Sequence, residues 1–324
     1  MADKIRWGIL STAHIGRVRV IPAIQKARNS VVAAVASRDL ERARTFAREL
    51  NIPTAYGSYE ELLADPNIDA IYNPLPNSEH ALWSIKCAEV SKATLCEKPL
   101  ASNAAEAQVM VDAFARRHVL LAEAFMYRFH PQTQRVKAMI ADGAVGEINL
   151  IQASFTFDIT GREDDIRLKR NLAGGALMDV GCYCVNVMRL MTGEEPDDVR
   201  AFARTGREVD ETLTGMLSFP SGALGHLDCG FRAITTNTYE IRGRRGRIVV
   251  DPAFIPASNR ETVIRYYHDN VCDEIVIPPT DQYQLMVEDF ADALLNSRPP
   301  RFEPLDAVRN MVVIDRLYAS LPSH

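Results

Sequence analysis

Ile5-Arg6-Trp7-Gly8-Ile9-Leu10-Ser11-Thr12-Ala13-His14-Ile15-Gly16 decides the reading of the chain. The first six residues form a mostly apolar run of strand length, and Arg17–Arg28 beyond the turn has helical spacing. A strand, a turn of small residues and a helix start together cradle phosphate, because unpaired N–H groups and the helix dipole both favour an anion. The dinucleotide fingerprint asks for glycine at three places in such a turn. Ser11, Ala13 and Gly16 stand there: two small substitutes and one glycine. Serine and alanine permit close approach but tolerate positive φ poorly, so the motif alone is weak.

The next elements strengthen it. Val31–Ala36 is a continuous apolar run, as a strand buried on both faces requires. It ends in Ser37-Arg38-Asp39, where a carboxylate would hold the ribose of NAD or an arginine the extra phosphate of NADP. Ser37 and Arg38 come first, so the pocket reads as favouring NADP, with NAD possible, and Asp39 as the cap of the next helix. Alternation continues: helix Leu40–Leu50, strand Ala55-Tyr56, helix Ser58–Ala64 capped by Ser58, strand Ala70–Asn73, helix Glu79–Glu89, strand Thr94–Glu97, helix Ser102–Arg116, strand Val119–Ala122. Such alternation implies a parallel, doubly wound sheet.

Thr94-Leu95-Cys96-Glu97-Lys98-Pro99-Leu100 carries the first half of the chemistry. Proline keeps Lys98 out of helical geometry, and Lys98-Pro99 is a candidate cis bond in a tight turn. The carboxyl end of a strand in an open α/β sheet is where ligands bind.

Beyond about residue 124 the texture changes. Glu147–Phe157, Val199–Arg204, Thr212–Phe219, Ala223–Gly230, Thr238–Arg242, Arg247–Val250, Thr262–Tyr267 and Glu274–Ile277 read as strands. One helix near Gly175–Met191 interrupts them, and Tyr283–Asn296 and Leu305–Leu321 close the chain. The fold class is α/β: a dinucleotide-binding domain at 1–123, and a C-terminal α+β domain at 124–324 with a large open, mainly antiparallel sheet.

Bulk properties exclude several classes. A net charge of −5 over 324 residues argues against a nucleic-acid or anionic-membrane surface. No apolar run is long enough to span a membrane. Met1–Trp7 holds no apolar signal core, which points to a cytoplasmic protein. The six cysteines are scattered without metal spacing, and no metal site is expected.

Gly174-Gly175-Ala176-Leu177-Met178-Asp179-Val180-Gly181-Cys182-Tyr183 carries the second half. Asp179 and Tyr183, four apart, share a face of a helix. With Glu97-Lys98-Pro99, the Glu123–Pro131 segment and the N-terminal turn, this stretch makes the chain resemble the Gfo/Idh/MocA oxidoreductases. It is most similar to the branch of NADP-dependent sugar dehydrogenases, dimeric dihydrodiol dehydrogenase and glucose-fructose oxidoreductase, which has tyrosine where other members have histidine. The resemblance implies cofactor contacts from Ser11, Thr12, Ala13, His14, Ile15, Ser37, Arg38, Leu75, Asn77, His80, Glu97 and Lys98. It implies a homodimer, or dimer of dimers, through the open sheet.

The same resemblance makes Lys98, Asp179 and Tyr183 the catalytic set. A phenol with a pKa near 10 must be lowered by roughly two to three units, about 3–4 kcal/mol, to act as a base at neutral pH. A nearby ammonium has the right sign. Arg128, His130, Arg167, Asn171 and Tyr283 are candidates to line a sugar pocket. The expected activity is an aldose 1-dehydrogenase. A reductase of nucleotide-linked ketosugars, a trans-dihydrodiol dehydrogenase, an NAD-dependent glycosidase and a non-catalytic dinucleotide sensor stand as alternatives.

Overall fold

In a computed structural model, which describes residues 4–322, the chain divides into two compact units. Met1–Met126 and Gln282–Val308 make the first; Tyr127–Asp281 and Arg309–His324 make the second. Residues 1–3 of the stretch read for an export signal lie outside the described residues.

The first unit is built on a six-stranded parallel sheet of order β3-β2-β1-β4-β5-β6. Its strands are β1 (Ile5–Leu10), β2 (Ser30–Ala36), β3 (Thr54–Tyr56), β4 (Ala70–Asn73), β5 (Ala93–Cys96) and β6 (Leu121–Glu123). Helices α1 (Ile21–Lys26), α2 (Leu40–Glu49), α3 (Tyr59–Ala64), α4 (Asn77–Glu89) and α5 (Ala104–Arg117) alternate with them. The caps follow local chemistry. Asp39 accepts from Arg42 N, Ser58 from Glu61 N and Asn103 from Glu106 N, each satisfying a helix-start N–H. The strand order reverses between β1 and β4, which puts the switch point beside the Ser11–Gly16 turn.

The second unit holds an eight-stranded sheet, β14-β13-β12-β11-β7-β10-β9-β8. The strands are β7 (Ile148–Asp158), β8 (Asp198–Thr205), β9 (Asp210–Ser218), β10 (Leu224–Gly230), β11 (Arg232–Gly243), β12 (Arg247–Val250), β13 (Thr262–His268) and β14 (Val271–Ile277). All neighbours are antiparallel except β7 and β10. Period-two alternation gives the sheet two unlike faces. The row Ala201, Gly215, Leu227, Ala153, Tyr239, Val250 lies in register on the buried face. The row Arg200, Met216, His226, Gln152, Glu240 lies on the open one, where Phe202, Met216 and Leu224 are exposed.

Several expectations change. The boundary expected after residue 123 falls after Met126. The helix α8 (Gln282–Leu295) belongs with the first unit, because its apolar face packs there: the Phe290 ring lies 5.1 Å from Trp7, and Arg28 and Asn29 pair with Asp292. A helix not expected, α6 (Pro131–Ala141), starts at a histidine cap with proline at its first turn. The segment before α7 (Cys182–Thr192) is a π-helical turn, Leu177–Gly181, rather than regular α-helix. The last helix, α9 (Pro304–Ala319), begins in the first unit and continues in the second.

Candidate active site

The first half of the site lies along the carboxyl ends of β1, β2, β4 and β5. Ser11 follows β1 with φ +72, the left-handed conformation for which the fingerprint places glycine. Its hydroxyl accepts from Ala13 N at 3.2 Å, a local bond that supports the turn. Helical structure begins at His14, so N–H groups of the helix start point at the strand ends. Ser37 is buried at the end of β2 and accepts from Asp39 N, while Arg38 beside it is exposed. A hollow of about 330 Å³ is lined by Thr12 of the turn together with Arg17, Glu41, Arg42, Thr45 and Phe46. N–H groups, small residues at the turn and arginines at its flank fit the phosphates and ribose of a dinucleotide.

Lys98 is delivered by a tightly held turn. Lys98-Pro99 is cis. Glu97 accepts from Tyr72 Oη at 2.6 Å, and burial, with Glu97 adding to it, drives that phenol well above its ordinary value. Leu100 N donates to Glu123 Oε1 at 2.9 Å, tying the far side of the turn to β6. His80, fully buried on α4, contacts Pro99 O at 2.9 Å through Nδ1 and Leu75 O at 2.8 Å through Nε2. Desolvation outweighs those carbonyls and pushes it down to about 4, with the Lys98 charge acting the same way. A neutral imidazole has one N–H and donates to only one of these carbonyls, whereas the protonated ring donates to both, so the two carbonyls oppose the desolvation. His80, expected at the cofactor, thus holds together two loops of the sheet edge. Asn73 fixes the second loop: its Oδ1 accepts from Leu75 N, and its Nδ2 donates to Ser84 Oγ at 2.9 Å. Asn77 is the first residue of α4, after a Pro76 cap.

The second half is in the other unit. Asp179 sits in the π-helical turn, and its Oδ2 accepts from Arg167 Nε at 2.7 Å. Arg167 also pairs with Asp165 at 3.1 Å, and the Asp179 charge leads in raising the guanidinium above its ordinary value. Arg167, expected to line a sugar pocket, pairs with the Asp179 and Asp165 carboxylates. Tyr183 is in the first turn of α7, 4% exposed, with its ring 5.9 Å from Tyr127, 5.4 Å from Phe155 and 5.4 Å from Phe254. This aromatic nest leaves the ring little freedom.

The other residues expected to contact a sugar are placed as follows. His130 is buried, its Nδ1 accepts from Gln132 N as the cap of α6, and burial pushes it down to about 4. Arg128 is buried nearby in the turn Met126–Phe129. Asn171 is exposed on a short 3-10 turn, and Tyr283 lies on α8 in the first unit. Sequence reasoning missed Tyr72, Asn73 and the aromatic nest, all hidden among apolar neighbours, and Asp210, which bonds the turn that carries Asp179.

Comparison with known proteins accords with both halves. Residues 5–125 match the model of the oxidoreductase family with NAD-binding Rossmann fold, and 133–249 match the GFO/IDH/MocA C-terminal domain. The chain is 41% identical to D-xylose 1-dehydrogenase (NADP(+)) 2 of Haloferax volcanii, over 97% of this chain and 96% of that one. It is 35% identical to trans-1,2-dihydrobenzene-1,2-diol dehydrogenase of Sus scrofa, over 82% of this chain and 78% of that one. A 3-ketoreductase from Actinomadura kijaniata, solved in complex with NADP and TDP-benzene, superposes with a TM-score of 0.93 at 31% identity, covering 98% of each chain. A dinucleotide edge on a parallel sheet, a cis-proline lysine turn and an Asp179–Tyr183 pair beside an open sheet therefore belong to one lineage: the chain is a member of the GFO/IDH/MocA family, an NAD(P)-dependent oxidoreductase.

Proposed function

We propose that the protein is an NADP-dependent aldose 1-dehydrogenase that oxidises the anomeric hydroxyl of a pyranose to a lactone. The observation that carries this reading is the lysine turn. Lys98 follows the carboxyl end of β5, on the same sheet edge as the Ser11–Gly16 turn, and Glu97 and Leu100 on either side of it are hydrogen-bonded to Tyr72 and Glu123. The 41% identity to an NADP-linked xylose dehydrogenase supports the substrate class. NADP, when bound, supplies the hydride acceptor. The residues of the chain handle the proton. Tyr183 Oη takes it from the sugar hydroxyl, Lys98 Nζ binds that oxygen and lowers the phenol pKa, and Asp179, held by Arg167, orients the sugar. Arg38, with Ser37, binds the 2′-phosphate that distinguishes NADP from NAD. The exposed Phe202, Met216 and Leu224 support pairing of two copies through the open sheet face.

The test is an initial-rate screen at 340 nm with NADP⁺ and NAD⁺ against aldoses, dihydrodiols and polyols. NADP⁺-dependent oxidation of an aldopyranose, with NADPH and lactone formed in equal amounts, is expected. Turnover of a dihydrodiol or a nucleotide-linked ketosugar, with none of any aldose, would overturn the assignment.

A further inference from the structure

We propose that Asp210 is a positioning residue for Asp179 and Tyr183, anchoring the helix start that projects them. This rests on reading Asp179 and Tyr183 as the reacting groups. Asp210 is the first residue of β9 and is buried. Its Oδ2 accepts from Leu177 N at 2.8 Å and its Oδ1 from Tyr318 Oη at 2.8 Å. Leu177 opens the π-helical turn, two residues before Asp179.

This packing gives the paired glycines their reason. Gly175 has φ +124, and a Cβ on it would lie 2.3 Å from Asp210 Oδ1 and 2.8 Å from Tyr318 Oη. A Cβ on Gly174 would lie 2.3 Å from Arg167 O. Only hydrogen at these positions lets the carboxylate reach the helix start and the Arg167 loop close over it. Gly175 N donates to Arg167 O at 2.8 Å, and Asp179 N donates to Gly175 O at 3.0 Å. Asp210 therefore holds the base of a unit whose upper end is the Arg167–Asp179 pair.

The groups facing Asp210 are the Tyr318 hydroxyl from α9, the Ala176 and Leu177 N–H groups from the turn, and the Cys229 thiol from β10. Burial outweighs the hydrogen bonds and raises the carboxyl to about 6. An ionised acceptor binds helix-start N–H groups more strongly than a neutral one, so protonation loosens the anchor.

The test compares wild type, D210N, D210A and D179N. Asparagine keeps the volume and an acceptor for Leu177 N but does not ionise; alanine removes both. Losing a cap of this kind corresponds to about a tenfold change in an equilibrium. D210A should therefore lower kcat about tenfold and speed amide hydrogen exchange across 176–183 by a similar factor. D210N should restore slow exchange and keep both KM values within about threefold, while the loosening of 176–183 that wild type shows in exchange, corrected for the intrinsic rate, as pH falls through about 6 disappears. Unchanged exchange in D210A, or D210N exchange that loosens on acidification as wild type does, overturns the proposal. Full kcat in D179N instead overturns the site assignment itself, and the exchange result, which needs no turnover, separates the two failures.

Discussion

Arg167 Nε donates to Asp179 Oδ2 at 2.7 Å, so the carboxylate four residues before Tyr183 is aimed by a guanidinium from a separate loop. Asp179 keeps 18% of its side chain exposed and Arg167 41%, so the pair remains open to a ligand from one side.

If this pairing orients the sugar, R167A should lower kcat while leaving NADP⁺ affinity alone. A hydrogen bond to a charged group contributes about 1.5–3 kcal/mol, which sets the expected loss at about tenfold to a hundredfold. R167K keeps the charge without the planar fork and should fall between. Steady-state rates paired with cofactor titration by fluorescence check this; R167A turning over within twofold of wild type would contradict it.

Glu123 should matter through the backbone it holds. E123A leaves Leu100 N without its acceptor in a buried position and should cost about 1–3 kcal/mol of stability, with a drop in kcat as the Lys98 turn relaxes. E123Q retains an amide oxygen and should recover most of both. Urea unfolding and turnover of the two variants measure it. Equal losses in E123A and E123Q would show that the charge, not the turn, is what counts.

Burial places His80 and His130 down at about 4. Unfolded imidazoles bind protons below about 6.5, and these native ones do not until about 4, so stability present above 6.5 is lost as pH falls through that window. Asp210, raised to about 6, has the opposite sign: its native carboxyl is protonated where the unfolded one is not, so it favours the native state on acidification. Two protons against one leave a net uptake of about one on unfolding between about pH 4.5 and 6, a slope near 1.4 kcal/mol per pH unit. D210N should roughly double that slope. Urea titrations at closely spaced pH values report it, and a flat or rising stability toward pH 4.5 would rule out the assignment of these three groups.

Arg38 is exposed at the end of β2, next to the buried Ser37. R38A should raise the KM for NADP⁺ by tenfold or more and leave that for NAD⁺ within about twofold, since a lost charge-assisted phosphate contact is worth about 1.5–3 kcal/mol. Equal effects on both cofactors would place the 2′-phosphate elsewhere.

The sheets were legible because burial on two faces writes continuous apolar runs, as in Val31–Ala36, and burial on one face writes alternation, as in β7 through β11. The Lys98-Pro99 turn and the Asp39 and Ser58 caps were legible because their chemistry is local. The order of residues hides which core a helix joins. Nothing in the amphipathic pattern of Gln282–Leu295 says that Phe290 meets Trp7, nearly the whole chain away. Asp210 was hidden for the same reason: among Arg207, Glu208 and Glu211 it looks like one more surface charge, and only the return of Leu177 and Tyr318 to it marks it out. The pairing of Arg167 with Asp179 was hidden because a loop arginine carries no sign of its partner.

Lys98 and Tyr183 are proposed to act on one substrate oxygen. A double-mutant cycle followed at 340 nm addresses this most directly, with NADP⁺ affinity measured for each variant. K98M and Y183F should each reduce kcat by about a thousandfold, and the double variant should be no slower than the worse single one, because groups that act as a unit are not additive. Losses that multiply in the double variant, or more than a tenth of wild-type turnover in either single one, would contradict it.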